Sequence, residues 1–432
     1  MMSAFDVLYA DAASVAAFFT AVAVASGAVT AFAGASSVTI VALVVVCLVW
    51  TALLWLIFAP YARDIWQMPR VVATLMLALS RTTIAYYLRG QQPMFPEWTF
   101  KFELLRAGMR ALRGGVFAKN VVQCRNARYF NKIFETLGKR SGPKVCERYG
   151  TTMETVTANG LEHVWIRDRK RDPDGQFEHK KHRFVVLYYH GGGFVLFAPH
   201  FFVELANRMR ASVLEILEQK HPELNGEVSV ECFLANYRKS PEFKYPVPQQ
   251  DALLAFEFLV QSEDLPPSHV VLTGDSAGGG LCMSTLLRLK EKGSIMPAGA
   301  ALSCPCVDLA IDSSMDDSHC ILAMELGREM MKAFHPTPLD SSTWKESAAV
   351  HCDLRGLPPA LIQVGSLDTI YSSSIKLFDK AKADGLGDTW ELDVFPHMPH
   401  AFTVLPDTVL PDARRGIEHI ADFALRQFMR SV

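Results

Sequence analysis

A serine set between glycines offers this chain a nucleophile. The segment VVLTGDSAGGG at 270–280 has the pattern G-x-S-x-G, with Gly274, Ser276 and Gly278 at its fixed positions. A hydrophobic run leads into Ser276 and a helical pattern follows it, which predicts a strand, a sharp turn and a helix. Such a turn exposes its central serine above the edge of a sheet. The helix start beyond it also favours negative charge developing nearby.

A second glycine-rich segment, LYYHGGGFVLF at 187–197, lies upstream of the serine. Directly after a predicted strand it carries a histidine and three glycines, which are His190, Gly191, Gly192 and Gly193. Consecutive glycines leave backbone N–H groups free to face a substrate oxygen, and two of these with the N–H of Ala277 would form an oxyanion hole. The alternative is a loop that binds phosphate, but no G-K-[ST] follows. We expect His190 to orient the loop rather than to act as a base.

A nucleophilic serine needs a histidine base, and the base needs a carboxylate that orients it. Asp368 ends a buried strand in PPALIQVGSLD (358–368), at the edge where functional residues of open α/β sheets gather. The sequence leaves open that Asp368 instead caps the helix that follows. His397 and His400 come after the next strand, and we prefer His400 because His397 follows that strand immediately. Two histidines without a third ligand at supporting spacing do not predict a metal site.

The elements that must position these residues alternate in type from residue 150 onward. Short β-rich runs followed by longer helical patterns predict an α/β fold with a mainly parallel sheet flanked by helices. The first predicted strand, 154–166, is expected to be antiparallel. The later predicted strands are 184–189, 228–235, 270–273, 300–307, 360–364 and 390–395. The predicted helices lie near 201–218, 248–262, 277–292, 371–384 and 411–429.

The N-terminal region has a different composition. Residues 1–62 contain no Lys or Arg, and 36–60 form an uncharged apolar run long enough to span a bilayer. Residues 13–34, rich in Ala and broken by Gly, are a second candidate membrane helix. Arginines follow the run and none precedes it, so the positive-inside tendency predicts an integral membrane anchor with a cytosolic catalytic domain. The endoplasmic reticulum is one membrane that would suit it.

These patterns divide the chain into three parts. We assign 1–62 to a membrane anchor, 63–150 to amphipathic and cap helices, and 151–432 to the catalytic domain. The helical spacing of apolar residues at 104–112 against basic ones suits either the surface of an anionic membrane or packing on the domain. A net charge of −2 gives no reason to expect nucleic acid as a partner. The nine cysteines are expected to be reduced thiols.

With these residues in place, the chain resembles the hormone-sensitive-lipase-like family of α/β-hydrolases over about residues 180–405. HGGGF at 190–194 is similar to the family's oxyanion motif, and GDSAGG at 274–279 to its nucleophile elbow. Further likenesses lie in ANYRKSPEFKYPVPQQDA, SCPCVDL and LPPALIQVGSLD, at 235–252, 303–309 and 357–368. The family often has Asp-Pro-Leu at the acid, whereas Thr369 and Ile370 follow Asp368 here, which puts the local turn in question.

The resemblance implies a serine esterase that needs no metal or organic cofactor. Its catalytic residues would be Ser276 as nucleophile, Asp368 as acid and His400 as base. Its oxyanion donors would be Gly191, Gly192 and Ala277. Parts of a cap are expected at 85–140 and 312–345. The anchor favours lipophilic esters, either acetylated lipids and sterols or acylglycerols, and the alternatives are an acyltransferase and a non-catalytic small-molecule receptor.

Overall fold

The computed structural model describes residues 68–113, 116–168, 181–310 and 316–432. The expected anchor at 1–62, its span at 36–60 and the second candidate helix at 13–34 lie outside the described residues. The expected cap helices and most of the expected catalytic domain lie within them.

A single sheet of eight strands forms the centre of the described structure, in the order β1-β2-β4-β3-β5-β6-β7-β8. The pairs β1/β2 and β2/β4 are antiparallel, and the remaining pairs are parallel. The strands are Thr151–Ala158, Leu161–Asp168, His182–Tyr189, Val228–Ala235, Val270–Asp275, Gly299–Ser303, Ala360–Gly365 and Trp390–Phe395. The predicted α/β fold with a mainly parallel sheet is confirmed.

Two of the predicted strand boundaries are wrong. The stretch expected as one strand at 154–166 is a hairpin, β1 and β2, joined at Asn159 and Gly160. Both turn residues have positive φ, 53° and 74°, which is why Asn-Gly favours a two-residue hairpin turn. The strand expected at 300–307 ends at Ser303, because Cys304 has a φ of 47° and leaves the sheet.

Helices cover both faces of the sheet. In chain order, α1 to α10 are Met68–Leu88, Phe100–Arg113, Val116–Val121, Cys124–Tyr149, Val203–Lys220, Val247–Gln261, Ala277–Glu291, Met324–Phe334, Tyr371–Ala383 and Asp412–Phe428. Strand β3 shows the two-sided core. Val185, Leu187 and Tyr189 belong to one buried cluster. Phe184, Val186 and Tyr188 belong to the other, as expected for a strand buried on both faces.

The N-terminal helices pack above the edge of the sheet where the parallel strands end. Arg106 of α2 donates to the carbonyl of Ser318 at 3.0 Å, and Arg110 donates to the carbonyl of Cys320 at 3.2 Å. These contacts join two of the segments expected to form the cap. Within the residues that the structure describes, one helix, Pro69–Leu88, is long and apolar enough to cross a membrane by length and composition.

Close packing of helix α4 yields a stability prediction. A Cβ on Gly138 would overlap the carbonyl of His200, whereas one on Gly108 of α2 would meet Leu75 at an ordinary 3.4 Å. We expect Gly138→Ala to lower the free energy of unfolding by about 1–3 kcal/mol through overpacking. Gly108→Ala should leave it unchanged or raise it by up to about 1 kcal/mol through helix propensity. Thermal unfolding in detergent measures both, and equal melting temperatures would contradict the packing described here.

Candidate active site

The predicted strand–turn–helix elbow is present between β5 and α7. Ser276 stands between Asp275 and Ala277 with φ 52° and ψ −118°, a conformation that non-glycine residues rarely adopt. Its N–H donates to the carbonyl of Ser303 at 2.9 Å, and its carbonyl accepts from the N–H of Cys306 at 2.8 Å. These two hydrogen bonds, to the end of β6 and to the segment after it, hold the strained residue in place.

Glycine is required at two positions of the elbow. A Cβ on Gly278 would overlap the carbonyl oxygen of Tyr189, and one on Gly274 would lie 2.5 Å from the carbonyl carbon of Gly278. The start of α7 therefore rests directly against the end of β3. This contact brings Ser276 beside the glycine loop that follows β3.

Three side chains from three strand ends form a continuous hydrogen-bonded chain. Ser276 Oγ lies 2.8 Å from His400 Nε2. His400 Nδ1 lies 2.9 Å and 3.0 Å from the two carboxylate oxygens of Asp368. Asp368 and His400 are buried, and Ser276 is half-buried. The structure thus places the expected nucleophile, base and acid within reach of one another.

Asp368 also takes part in the turn that precedes α9. Its Oδ1 accepts from the N–H of Ile370 at 2.9 Å, so the carboxylate contacts both the turn and His400. The next residue, Thr369, donates its hydroxyl to the carbonyl of Leu322 at 2.7 Å. The departure from Asp-Pro-Leu therefore adds a contact between the acid's turn and the segment before α8.

The charge state of His400 depends on this carboxylate. Burial lowers the pKa of His400, but the charge of Asp368 and the hydrogen bond to it outweigh burial, with a further contribution from Asp275. The pKa of His400 consequently lies above its ordinary value of 6.5. The interactions that raise this pKa are those that stabilise the protonated imidazolium of His400.

The glycine loop departs from expectation at its first glycine. The N–H of Gly191 donates to Asp275 Oδ1 at 2.9 Å, and the hydroxyl of Tyr188 donates to the same oxygen. An N–H held by a buried carboxylate is not free to face a substrate oxygen, so the expected role of Gly191 as an oxyanion donor does not fit the structure. Burial raises the pKa of Asp275, which these two donors partly offset.

The next two glycines leave their donors open. Gly192 and Gly193 have φ of 110° and 61°, and a Cβ on Gly193 would overlap the side chain of Met330. Among the described residues, no acceptor meets the N–H of Gly192, Gly193 or Ala277. Three backbone donors near Ser276 are therefore available for a substrate oxygen.

His190 and His397 lie in settings that keep them apart from the serine. The ring of His190 stacks on Tyr237 with centroids 4.6 Å apart, and burial lowers its pKa well below the ordinary value. Its Nδ1 lies 2.7 Å from the carbonyl oxygen of Gly191, which suits the expected orienting role. His397 Nδ1 lies 2.8 Å from a carboxylate oxygen of Glu97 instead of near Ser276.

Sequence reasoning missed the residues that hold the His400 loop. The indole N–H of Trp98 donates to the carbonyl of His397 at 2.7 Å, and Phe95 stacks on the His397 ring at 4.6 Å. The thiol of Cys320 accepts from the backbone N–H of His400 at 3.3 Å. These contacts join residues far apart in the chain, so no local pattern indicates them. Asp275, in contrast, lies inside the elbow motif, so the sequence offers it as a candidate partner for the neighbouring glycine loop.

One cluster in the described parts of the chain has the composition of a metal site. Ligand atoms of Cys304, Asp368 and His400 lie within 4.8 Å of one another. Both nitrogens of His400 already face partners, Asp368 and Ser276. Burial raises the pKa of Cys304 well above its ordinary value, which keeps the thiol protonated. The donor set is therefore better suited to moving a proton than to holding a cation.

Comparisons with known proteins agree with this fold. Residues 186–404 match a family described as having the alpha/beta hydrolase fold. An acetyl-hydrolase of Streptomyces hygroscopicus is 30% identical over 268 residues, 61% of this chain and 80% of that protein. An esterase of Acinetobacter venetianus is 25% identical over 244 residues, 56% of this chain and 74% of that protein.

Two further comparisons concern the hormone-sensitive lipases. The hormone-sensitive lipase of Mus musculus is 29% identical over 135 residues, 31% of this chain and 16% of that protein. The crystal structure of an esterase from the bacterial hormone-sensitive lipase family superposes with a TM-score of 0.59 at 21% identity. It covers 78% of this chain and 100% of its own chain.

The buried carboxylate beneath the glycine loop generates a second prediction. Asp275→Ala removes the acceptor for both Gly191 and Tyr188, and a buried donor without a partner costs about 1–3 kcal/mol. We expect the free energy of unfolding to fall by about 2–4 kcal/mol. Tyr188→Phe is the matched control, because it removes one donor and leaves the acceptor satisfied by Gly191. Chemical unfolding of the two variants compares them, and a larger loss in Tyr188→Phe would refute the proposed role of Asp275.

Proposed function

This chain belongs to the α/β-hydrolase family and is a carboxylic ester hydrolase, and we propose that Ser276, His400 and Asp368 are its catalytic triad. The resemblance to the hormone-sensitive-lipase-like enzymes is confirmed. The observation that carries the proposal is the hydrogen-bonded chain from Ser276 Oγ through both nitrogens of His400 to Asp368. This arrangement favours a reacting serine over a receptor that only binds.

The reaction proceeds in two halves. His400 takes the proton of Ser276 as Oγ attacks the ester carbonyl carbon, and the resulting oxyanion faces the N–H groups of Gly192, Gly193 and Ala277. The carbonyl–alkoxy bond then breaks, and His400 returns the proton to the leaving alcohol. Water then attacks the acyl carbonyl carbon while His400 takes its proton. The bond between the acyl carbon and Oγ breaks as His400 returns that proton to Oγ, which releases the acid and restores Ser276. Asp368 holds the imidazole in the productive tautomer.

The proposed substrates are lipophilic esters, with acetylated lipids first and acylglycerols second. The relative named acetyl-hydrolase supports a small acyl group. An apolar side chain stands near the site, because Met330 of α8 lies over Gly193. The uncharged run at 36–60 supports access to lipids from a bilayer. The anchor, the three-part division of the chain and the cytosolic orientation remain predictions.

Replacing His400 and, separately, the nearby His397 tests the assignment of His400 as the base. Ser276→Ala and His400→Gln should each lower kcat/KM for a p-nitrophenyl ester by about 10³-fold or more, since each removes a member of the triad. His397→Gln, which removes the ring that contacts Glu97 and Phe95 but no group that contacts Ser276, should lower it less than about tenfold. Initial rates in detergent across acetate to palmitate measure these effects and report the preferred acyl length.

Labelling with a fluorophosphonate provides the control for folding. The wild type and His397→Gln should bind the probe covalently, and Ser276→Ala should not. If His397→Gln lost activity as completely as His400→Gln while staying folded, the assignment of the base would be wrong.

The pH dependence follows from the raised pKa of His400. The histidine accepts the serine proton only when neutral, so kcat/KM falls as pH drops through its pKa. Because the pKa lies above 6.5, the midpoint of the acid limb should also lie above pH 6.5. In Asp368→Asn the charge that raises the pKa is gone, so the residual activity should show its acid limb at lower pH. A wild-type midpoint at or below 6.5 would contradict the electrostatics described here.

A further inference from the structure

Helix α1 has one packed face and one open face. Leu75 and Leu79 lie over Gly108 of α2, and Tyr86 stacks on Phe100 with ring centroids 4.2 Å apart. The contacts run along most of the helix, so one side of α1 is joined to the rest of the protein. A helix held in this way cannot cross a bilayer alone.

The opposite face of α1 exposes large apolar side chains. The exposed fractions are 56% for Met76, 51% for Leu77, 59% for Ile84 and 83% for Leu88. Single exposed apolar residues are normal on protein surfaces, but several on one face of a helix, here interrupted by the exposed Ser80, indicate an interaction site.

Two arginines border this apolar row. At about 100° per residue, Arg70 and Arg81 fall on the same side of α1 as Leu77 and Leu88, at one edge of the open face. Both arginines are exposed. An apolar stripe edged by cationic side chains is the pattern of a helix that lies in the plane of a membrane surface.

We propose that α1 lies along a phospholipid bilayer, with Met76, Leu77, Ile84 and Leu88 against the acyl region and Arg70 and Arg81 at the lipid phosphates. The chain before α1 supports a bilayer as the partner of this face, because the uncharged run ends at residue 60 and α1 begins at Met68. The eight Cα–Cα steps between these two residues span at most about 28 Å. If the run spans a bilayer, α1 cannot be far from the surface of that bilayer.

The docked helix would orient the active site. The segment that links α1 to α2 contains Phe95, Glu97 and Trp98, and all three contact His397 in the loop that carries His400. On the proposed function, this connection holds the catalytic histidine at a fixed position relative to the membrane. An ester dissolved in the bilayer would then reach Ser276 without passing through water.

Photocrosslinking in vesicles tests directly whether lipid contacts the open face of α1. The full-length protein is reconstituted into phosphatidylcholine and phosphatidylserine with a benzophenone amino acid replacing Leu77 or Ile84. The matched control replaces Ile295, which is 75% exposed and precedes β6 at the other end of the sheet from the triad. We expect lipid adducts by mass spectrometry at 77 and 84 and not at 295. Adducts with residues 1–67, with a second copy of the chain, or at no higher level than at Ile295 would overturn the proposal.

An activity measurement then tests substrate access. Leu77→Glu combined with Ile84→Glu should slow hydrolysis of a long-chain ester in vesicles by roughly tenfold, because charges on the open face oppose docking. Hydrolysis of soluble p-nitrophenyl acetate should be unchanged, and Ile295→Glu should affect neither substrate. An equal effect on both substrates would refute the orienting role. The crosslinks need no activity, so docking is judged separately from the proposed function.

Discussion

The close approach of α7 to β3 is the constraint on which the rest of the site depends. Because Gly278 has no side chain, the first turn of α7 lies against the carbonyl of Tyr189. That contact forces the chain through a positive φ at Ser276 and leaves the glycine loop after β3 next to the serine. A methyl group at this one position would separate Ser276 from the glycine loop that carries the proposed oxyanion donors.

The strained elbow is held by contacts from every neighbouring strand end. The end of β6 and the segment after it bond to both backbone groups of Ser276, and the segments after β7 and β8 supply Asp368 and His400. Asp275, immediately before the serine, accepts from the N–H of Gly191 and so holds the glycine loop. The adjacent residues Asp275 and Ser276 therefore contact different parts of the site. Asp275 contacts the glycine loop, and Ser276 contacts His400. The rigidity comes from the sheet, since each of these segments begins at a buried parallel strand.

Local patterns were enough to predict the fold class and to single out Ser276, Asp368 and His400, the three side chains that the structure brings together. The elbow needs glycines at set spacing, and the acid and base follow predictable buried strands, so each leaves a signal in a short window. The role of Gly191 could not be predicted, because the side-chain direction of Asp275 depends on the packing of β3 against β5. Trp98 and Cys320 contact the His400 loop from distant parts of the chain, and nothing in their neighbouring residues signals this. The Asn159–Gly160 pair did indicate a hairpin turn. The apolar residues that continue on both sides of the pair instead suggested one long strand.

Phe95, Glu97 and Trp98 contact His397 in the loop that carries His400. The residues that support the site therefore extend beyond the region that matches the family. The part of the chain that matches the family begins at residue 186, yet the loop that bears His400, the proposed base, is supported from a point some ninety residues earlier. A comparison restricted to the matched region therefore omits a structural support of this histidine. Differences in the link between α1 and α2 among relatives would alter the mobility of that histidine even where every triad residue is identical.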